Sequence, residues 1–214
     1  MSLIPEDQRE RIRSELAEKL VSPVRVIMFT QAMECKFCGD TKQLIYELAE
    51  LNSKIQAEVH DFVADTQLAQ EYGVDKIPAI VVRTEKDYGI RFYGFPYGYE
   101  FQTLLEALGS VSRGQTDLSE QTKQKLREIK TPIVIKVFTT LTCPHCPTAA
   151  AMAHKFAMEN SLIRAEAIDA SEFPELAIKY GVMGVPKIVV NEKIEFVGAL
   201  PEDMFLEQVL KVLQ

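Results

Sequence analysis

The chain carries its own landmarks twice. Cys35-Lys36-Phe37-Cys38 returns as Cys143-Pro144-His145-Cys146, 108 residues further on (143 − 35). Tyr72-Gly73-Val74 returns as Tyr180-Gly181-Val182 at the same distance of 108 (180 − 72), as do Ile77-Pro78 in Val185-Pro186 and Asp61 in Asp169. Past the prolines the spacing shortens to 104 (194 − 90), where Ile90-Arg91-Phe92-Tyr93-Gly94 meets Ile194-Glu195-Phe196-Val197-Gly198. The first copy therefore holds a longer connection, near residues 84–89. Unrelated landmarks keep one offset only through duplication. The 214 residues divide into two expected units, 1–112 and 113–214, each near the ~100 residues of a small domain.

Each unit runs through the same elements. Val24–Thr30 and Ile133–Thr139 are short, apolar and β-branched, the pattern of buried strands. A Cys pair and a stretch of helical spacing follow each. Leu44, Leu48 and Leu51 share one face of the first helix, and Ala149, Met152 and Phe156 one face of the second. Second strands are predicted over 55–62 and 162–169, then short helices ending at Tyr72-Gly73 and Tyr180-Gly181, where Gly suits a helix C-terminus. Hairpins come next (Ala79–Arg83 with 90–93, Lys187–Val190 with Ile194–Val197), and last helices near 101–108 and 201–213. A further helix leads each unit, over 5–20 and 118–129, the latter with Asp117 and Ser119 as caps. The order βαβαββα is that of a mixed central sheet with helices on both faces, an α/β fold in tandem copies that meet near 112–115.

Charge narrows the function. The formal net charge is −7, and residues 1–112 hold 12 Lys and Arg against 18 Asp and Glu. Binding a polyanion needs a basic face, so no nucleic-acid or anionic-membrane partner is expected. The opening MSLIPEDQRERIRSELAEKL is charged throughout, unlike a signal peptide, and no run approaches the ~18–20 apolar residues of a membrane span. A cytoplasmic location is expected. In a reducing cytosol, paired cysteines are more often catalytic or metal-binding than structural.

A Cys in the first turn of a helix faces unpaired N–H groups and the positive end of the helix dipole, both of which favour thiolate. Its pKa falls from ~8.5 toward ~3.5–7.5, and the thiolate attacks a disulfide sulfur. A partner three residues on lies one turn away and resolves the mixed disulfide. Cys35 and Cys143 are the expected attackers, Cys38 and Cys146 the resolving residues. The intervening dipeptides tune the pairs. Pro144 is expected at an early helical position, and a protonated His145 would stabilise thiolate, which makes the second pair the stronger oxidant. Lys36 contributes a more screened charge and Phe37 an apolar surface. A proline stands 40 residues beyond each resolving Cys (78 − 38 and 186 − 146). A cis bond at Ile77–Pro78 and Val185–Pro186 would bring backbone close to the attacking sulfur and leave groups free to pair with a substrate strand.

Strand, Cys-x-x-Cys, helix and Ile/Val-Pro before a hairpin resemble the thioredoxin/glutaredoxin superfamily. The tandem arrangement resembles the protein disulfide oxidoreductases of thermophilic bacteria and archaea, glutaredoxin-like proteins of two thioredoxin-fold units, over essentially the whole chain. The resemblance implies disulfide reduction, dithiol oxidation and isomerisation on protein substrates. It implies Cys35/Cys38 and Cys143/Cys146 as redox pairs and Pro78 and Pro186 as cis-prolines. No cofactor beyond the redox disulfides is expected; the expected partners are disulfide- or dithiol-containing proteins and a thioredoxin-reductase-like flavoenzyme.

Other residues have weaker claims. Glu58 and Glu166 also stand 108 apart (166 − 58), each on a predicted central strand, where a buried carboxylate could take the resolving Cys proton. A solvated strand-end charge is the plainer alternative. His60 and His154 are expected to be ordinary surface or half-buried residues. Gly94-Phe95-Pro96-Tyr97-Gly98 is expected to be a loop entering a helix, without the Lys-Ser/Thr of a phosphate loop. Two functions of other classes compete: a Cys₄ metal site, and an electron-transfer adaptor feeding a peroxide reductase. Zinc ribbons place the second Cys pair ~15–20 residues from the first. Here the gap is 105 (143 − 38), so no metal is expected.

Overall fold

The computed structural model describes residues 2–214. In the first unit α1 (Glu6–Lys19) leads β1 (Val24–Thr30), α2 (Cys38–Leu51), β2 (Ile55–Asp61), α3 (Thr66–Glu71), β3 (Ala79–Arg83), β4 (Asp87–Tyr93) and α4 (Tyr99–Arg113). The second unit repeats the order with α5 (Glu120–Arg127), β5 (Ile133–Thr139), α6 (Cys146–Glu159), β6 (Ile163–Asp169), α7 (Pro174–Lys179), β7 (Lys187–Val190), β8 (Ile194–Val197) and α8 (Glu202–Leu210), which ends in a 3₁₀ turn over Lys211–Leu213. α4 runs five residues past the predicted 101–108 and ends where Gly114 adopts the left-handed conformation that closes helices. Ser119 caps α5, its hydroxyl accepting the Thr122 N–H at 3.2 Å.

The eight strands form one sheet in the order β2-β1-β3-β4-β6-β5-β7-β8. Each unit contributes four contiguous strands, so the copies meet edge to edge without interleaving. β4 and β6 make the seam, parallel, from Ile90 opposite Ala165 to Tyr93 opposite Ile168. Gly89 enters this seam at φ +75°, where an added Cβ would run into the Ile163 carbonyl oxygen. Close approach of two backbones is what requires glycine here. Pairing β4 with β6 removes one exposed edge from each unit.

Alternate side chains face opposite sides of the sheet. Val26, Met28, Ile135 and Val137 join the larger core under α1, α2, α4, α5, α6 and α8. Ile27, Phe29 and Phe138 join the smaller core under α3 and α7. Burial on both faces explains why these strands read as continuous apolar runs. On the larger side Phe205 packs edge-on to Phe156 and Phe196, at 5.3 and 5.2 Å between ring centroids. Burying such a ring stabilises by roughly 1.5–3 kcal/mol.

Candidate active site

Strand directions bring both Cys pairs to one end of the sheet, beyond the C-terminal ends of interior strands. β1 is antiparallel to β3, β3 to β4, and β4, β6 and β5 are mutually parallel, so β1 and β5 point the same way. Each Cys pair follows the C-terminal end of one of them. β1 and β5 lie four positions apart in the sheet, which at ~4.8 Å per strand separates the pairs by roughly 19 Å. Four sulfurs so divided cannot share one tetrahedral ion with ~2.3 Å bonds, which removes the Cys₄ alternative.

Cys35 is bonded to Cys38 and Cys143 to Cys146, with 5.5 Å between Cα atoms in each disulfide. Cys38 and Cys146 open α2 and α6, and Cys35 and Cys143 lie three residues ahead, in the approach to the helix. Pro144 therefore sits in the turn before α6, correcting its expected helical position; the proline in the first turn of α6 is Pro147. The helix start still faces the Cys143 sulfur, since the Cys146 N–H donates to Cys143 Sγ at 3.1 Å. Cys143 is buried and Cys35 half-buried, while Lys36 and His145 are exposed. Lys36 Nζ lies 4.8 Å above the Phe37 ring.

The Ile77–Pro78 and Val185–Pro186 peptide bonds are cis. Each proline immediately precedes a strand antiparallel to the one that feeds the Cys pair: Ala79 stands opposite Phe29, and Lys187 opposite Phe138. That pairing sets each proline at the same end of the sheet as its disulfide. Their carbonyls accept the N–H of Gly94 at 3.0 Å and of Gly198 at 2.9 Å.

Glu58 and Glu166 occupy the other side of the sheet. Ile55, Ala57 and Val59 alternate with Glu58 and pack on the α2 side, as Ala165 and Ala167 do around Glu166 on the α6 side. Both carboxyls thus point away from the Cys-bearing helices. Glu58 accepts hydrogen bonds from Arg25 Nε at 2.6 Å and Nη2 at 3.0 Å, which hold its pKa below the ordinary carboxylate value. Buried Glu166 lies 2.9 Å from Arg164 Nε. Even spacing identifies matching positions but not the side each one faces.

Three acidic residues to which the repeat pattern assigns no role stand where β5 and β6 end. Asp169 and Thr139 stand two residues beyond Ala167 and Val137 on their strands, so both share the α6-side face. With Glu100 they line a narrow cleft closed by Phe92, Tyr93, Gly94, Phe95 and Pro96. Glu100 is 3% exposed, and among the described residues its Oε1 has no hydrogen-bond partner. Burial, reinforced by the Asp169 charge, pushes its pKa up to about 8. The α4 start that carries Glu100 is tied to the second Cys loop by the Tyr99 N–H, which donates to the Leu141 carbonyl at 3.1 Å. Gly98, at φ +59°, lets the chains come this close, since a Cβ there would strike the same carbonyl. Glu172 accepts the Phe95 N–H at 2.7 Å, and burial and Asp169 push its pKa up to about 7. The sequence signal for Glu100 is an acid set between two aromatic residues, Tyr99 and Phe101, at a helix start. His154 also differs from its half-buried expectation: it is fully buried, 4.8 Å from the Phe92 ring, and burial lowers its pKa to about 3, which keeps it neutral.

A family model described as a thioredoxin domain matches residues 133–211, within the second unit. The thioredoxin of Methanocaldococcus jannaschii is 38% identical over 82 residues, which are 38% of this chain and 96% of that protein. An alkyl hydroperoxide reductase component of Escherichia coli is 30% identical over 180 residues, 82% of this chain but 32% of that protein. This chain thus spans about a third of that relative's length. Among solved structures, a protein disulfide oxidoreductase from Aeropyrum pernix superposes with a TM-score of 0.91 at 33% identity, covering 96% of this chain and 92% of that one. The NTD_N/C domain of the alkylhydroperoxide reductase AhpF from Enterococcus faecalis gives a TM-score of 0.88 at 26% identity, covering 96% and 99%.

Proposed function

The chain belongs to the thioredoxin family of thiol–disulfide oxidoreductases, and from that premise we propose that units 1–112 and 113–214 each carry one working redox pair for protein substrates. The observation that supports this most is the placement of two separate Cys-x-x-Cys disulfides at helix starts on one end of the sheet. In reduction, the thiolate of Cys35 or Cys143 attacks one sulfur of a substrate disulfide. That S–S bond breaks, a mixed disulfide forms, and the released substrate thiolate takes a proton. Cys38 or Cys146 then loses its proton and attacks the mixed disulfide, freeing the second substrate thiol. Two electrons pass to the substrate and leave the enzyme pair as a disulfide. Oxidation of a substrate dithiol is the reverse sequence.

In the second unit the proton of Cys146 needs an acceptor, and Glu100, in the ionised form it gains as pH nears 8, is the carboxyl whose properties suit the task. It lies on the α6 side, it is unpartnered at Oε1, and its pKa near 8 is close to that of a thiol. A thioredoxin-reductase-like flavoenzyme would return the electrons, and a reducing cytoplasm is the compartment proposed. Among the described residues no helix is long and apolar enough to cross a membrane. The likeness to the peroxide-reductase domain supports a second reading, an adaptor passing electrons to a peroxidase.

The test is turnover of a disulfide-containing peptide by the wild type, by C35S/C38S and by C143S/C146S chains. Activity from both single-pair chains supports the proposal; activity from one alone favours the adaptor, which needs a single pair. Loss of activity from both would refute either.

A further inference from the structure

The loop between β4 and α4 stands between the two Cys pairs and touches the approach to each. On one side the Tyr99 N–H binds the Leu141 carbonyl, just before Cys143. On the other, the Phe95 ring lies parallel to Phe37, inside Cys35–Cys38, with centroids 6.3 Å apart and 7° between planes. Tyr97 continues the stack beyond Phe95 at 5.1 Å and 5°. Phe37 is also the residue from which α2 departs, its carbonyl accepting the Thr41 N–H at 2.9 Å and hydroxyl at 2.8 Å. A ring fixed at that point constrains the dihedrals between the two sulfurs.

Phe95 is itself anchored from the second unit. Glu172, three residues past the end of β6, accepts its N–H at 2.7 Å. The same carboxyl lies against Gly94, where an added Cβ would come within 3.0 Å of Oε1. We propose that Glu172 is a positioning residue for the first redox pair, reaching across the seam to hold Phe95 against Phe37, so that Cys35–Cys38 exchange depends on the second unit. The proposal rests on the reading that Cys35 and Cys38 exchange disulfides, and it names what controls them.

The charges around Glu172 make the control sensitive to pH. Asp169 at the end of β6 repels its ionised form, Lys36 from the first Cys loop attracts it, and Glu100 from α4 acts on Asp169. With a pKa near 7, the carboxyl is neutral in mild acid and a charged acceptor in mild base. A charged acceptor holds the Phe95 N–H more strongly than a neutral one. The stack is therefore tighter above neutrality, in the range where thiolates form.

The experiment uses single-pair chains, C143S/C146S to isolate the first pair and C35S/C38S to isolate the second, each with and without E172Q. The rate of reduction of a disulfide peptide is followed from pH 5.5 to 8.5. In the first-pair chain, E172Q should remove an inflection near pH 7 and change the rate at pH 8 by roughly threefold to tenfold, the span of one hydrogen bond gaining or losing charge. E172D should restore the inflection. The second-pair chain should keep its profile. Adding F37L should abolish the effect of E172Q, because the stack carries it. Equal effects on both pairs, no effect on the first, or an undiminished effect in F37L would each overturn the proposal. If the first-pair chain is inert while Glu172 is intact, the underlying reading of Cys35–Cys38 has failed, and the proposal falls with it.

Discussion

Glu100→Gln should make the folded protein more resistant to alkali. In the unfolded chain a glutamate ionises at its ordinary value of 4.5, whereas burial and the Asp169 charge hold Glu100 protonated in the fold up to about 8. A folded-state pKa above the unfolded one means the fold binds the proton more tightly, so stability is greatest in acid. It is lost as pH rises from 4.5 to about 8. Each pH unit in that span costs ~1.4 kcal/mol, so between pH 6 and pH 8 the wild type should lose ~3 kcal/mol that a neutral glutamine does not. For a chain of this size ~3 kcal/mol corresponds to roughly 6–12 °C in Tm. The assay is thermal or urea unfolding of the oxidised wild type and variant at pH 6 and pH 9, the disulfides being intact so that no thiol titrates. Other titrating groups are common to both proteins and cancel in the comparison. Parallel curves at the two pH values would refute the assignment of a buried, protonated Glu100.

Breaking the Arg25–Glu58 pair with E58Q should cost under about 1 kcal/mol in urea unfolding and leave peptide reduction unchanged, since both partners are about a third exposed and face away from α2. Gly98→Ala should destabilise by roughly 1–3 kcal/mol and slow the second pair more than the first, because its Cβ meets the Leu141 carbonyl at a positive φ; unfolding and single-pair rates check this. The Cys143–Cys146 pair should be the stronger oxidant. If its dipeptide lowers the attacking thiol by ~2 pKa units relative to the first, the potentials differ by ~60 mV, measured by equilibration in glutathione buffers. A lower potential for the second pair would reverse that ranking.

Elements repeated at a constant offset were the most legible part of the fold. β1, β3, β5 and β7 have the bounds that their apolar, β-branched runs imply, because strands buried on both sides leave little room for another pattern, and the half-exposed edge strand β8 keeps its predicted bounds as well. The fusion of the halves was not legible. No local propensity says that β4 will pair with β6, and the glycine that permits the contact, Gly89, reads in sequence as an ordinary turn residue. The Cys pairs were visible through spacing alone, whereas the acids around them were not. Matching positions pointed to Glu58 and Glu166, but the pleat turns both to the far side of the sheet. Glu100 and Glu172 have no acidic counterparts at the repeat offsets, since Met204 stands at 204 (100 + 104, the spacing past the prolines) and Ala64 at 64 (172 − 108). Residues that act across the seam belong to the assembly of two copies and leave no mark in either copy's pattern.

Trapping of the mixed disulfide tests the central claim most directly. In Cys38→Ser the first pair can attack but not resolve, and Cys146→Ser does the same to the second. Each variant, its intact pair removed by serine substitution, is mixed in reduced form with a peptide carrying one disulfide, and the adduct is mapped by mass spectrometry. A peptide bonded through Cys35 in one chain and through Cys143 in the other is expected, with no stable adduct in the wild type because the resolving Cys releases it. Adducts at neither cysteine, or at the resolving positions Cys38 and Cys146 when those are left in place of Cys35 and Cys143, would contradict two helix-start nucleophiles working in one chain.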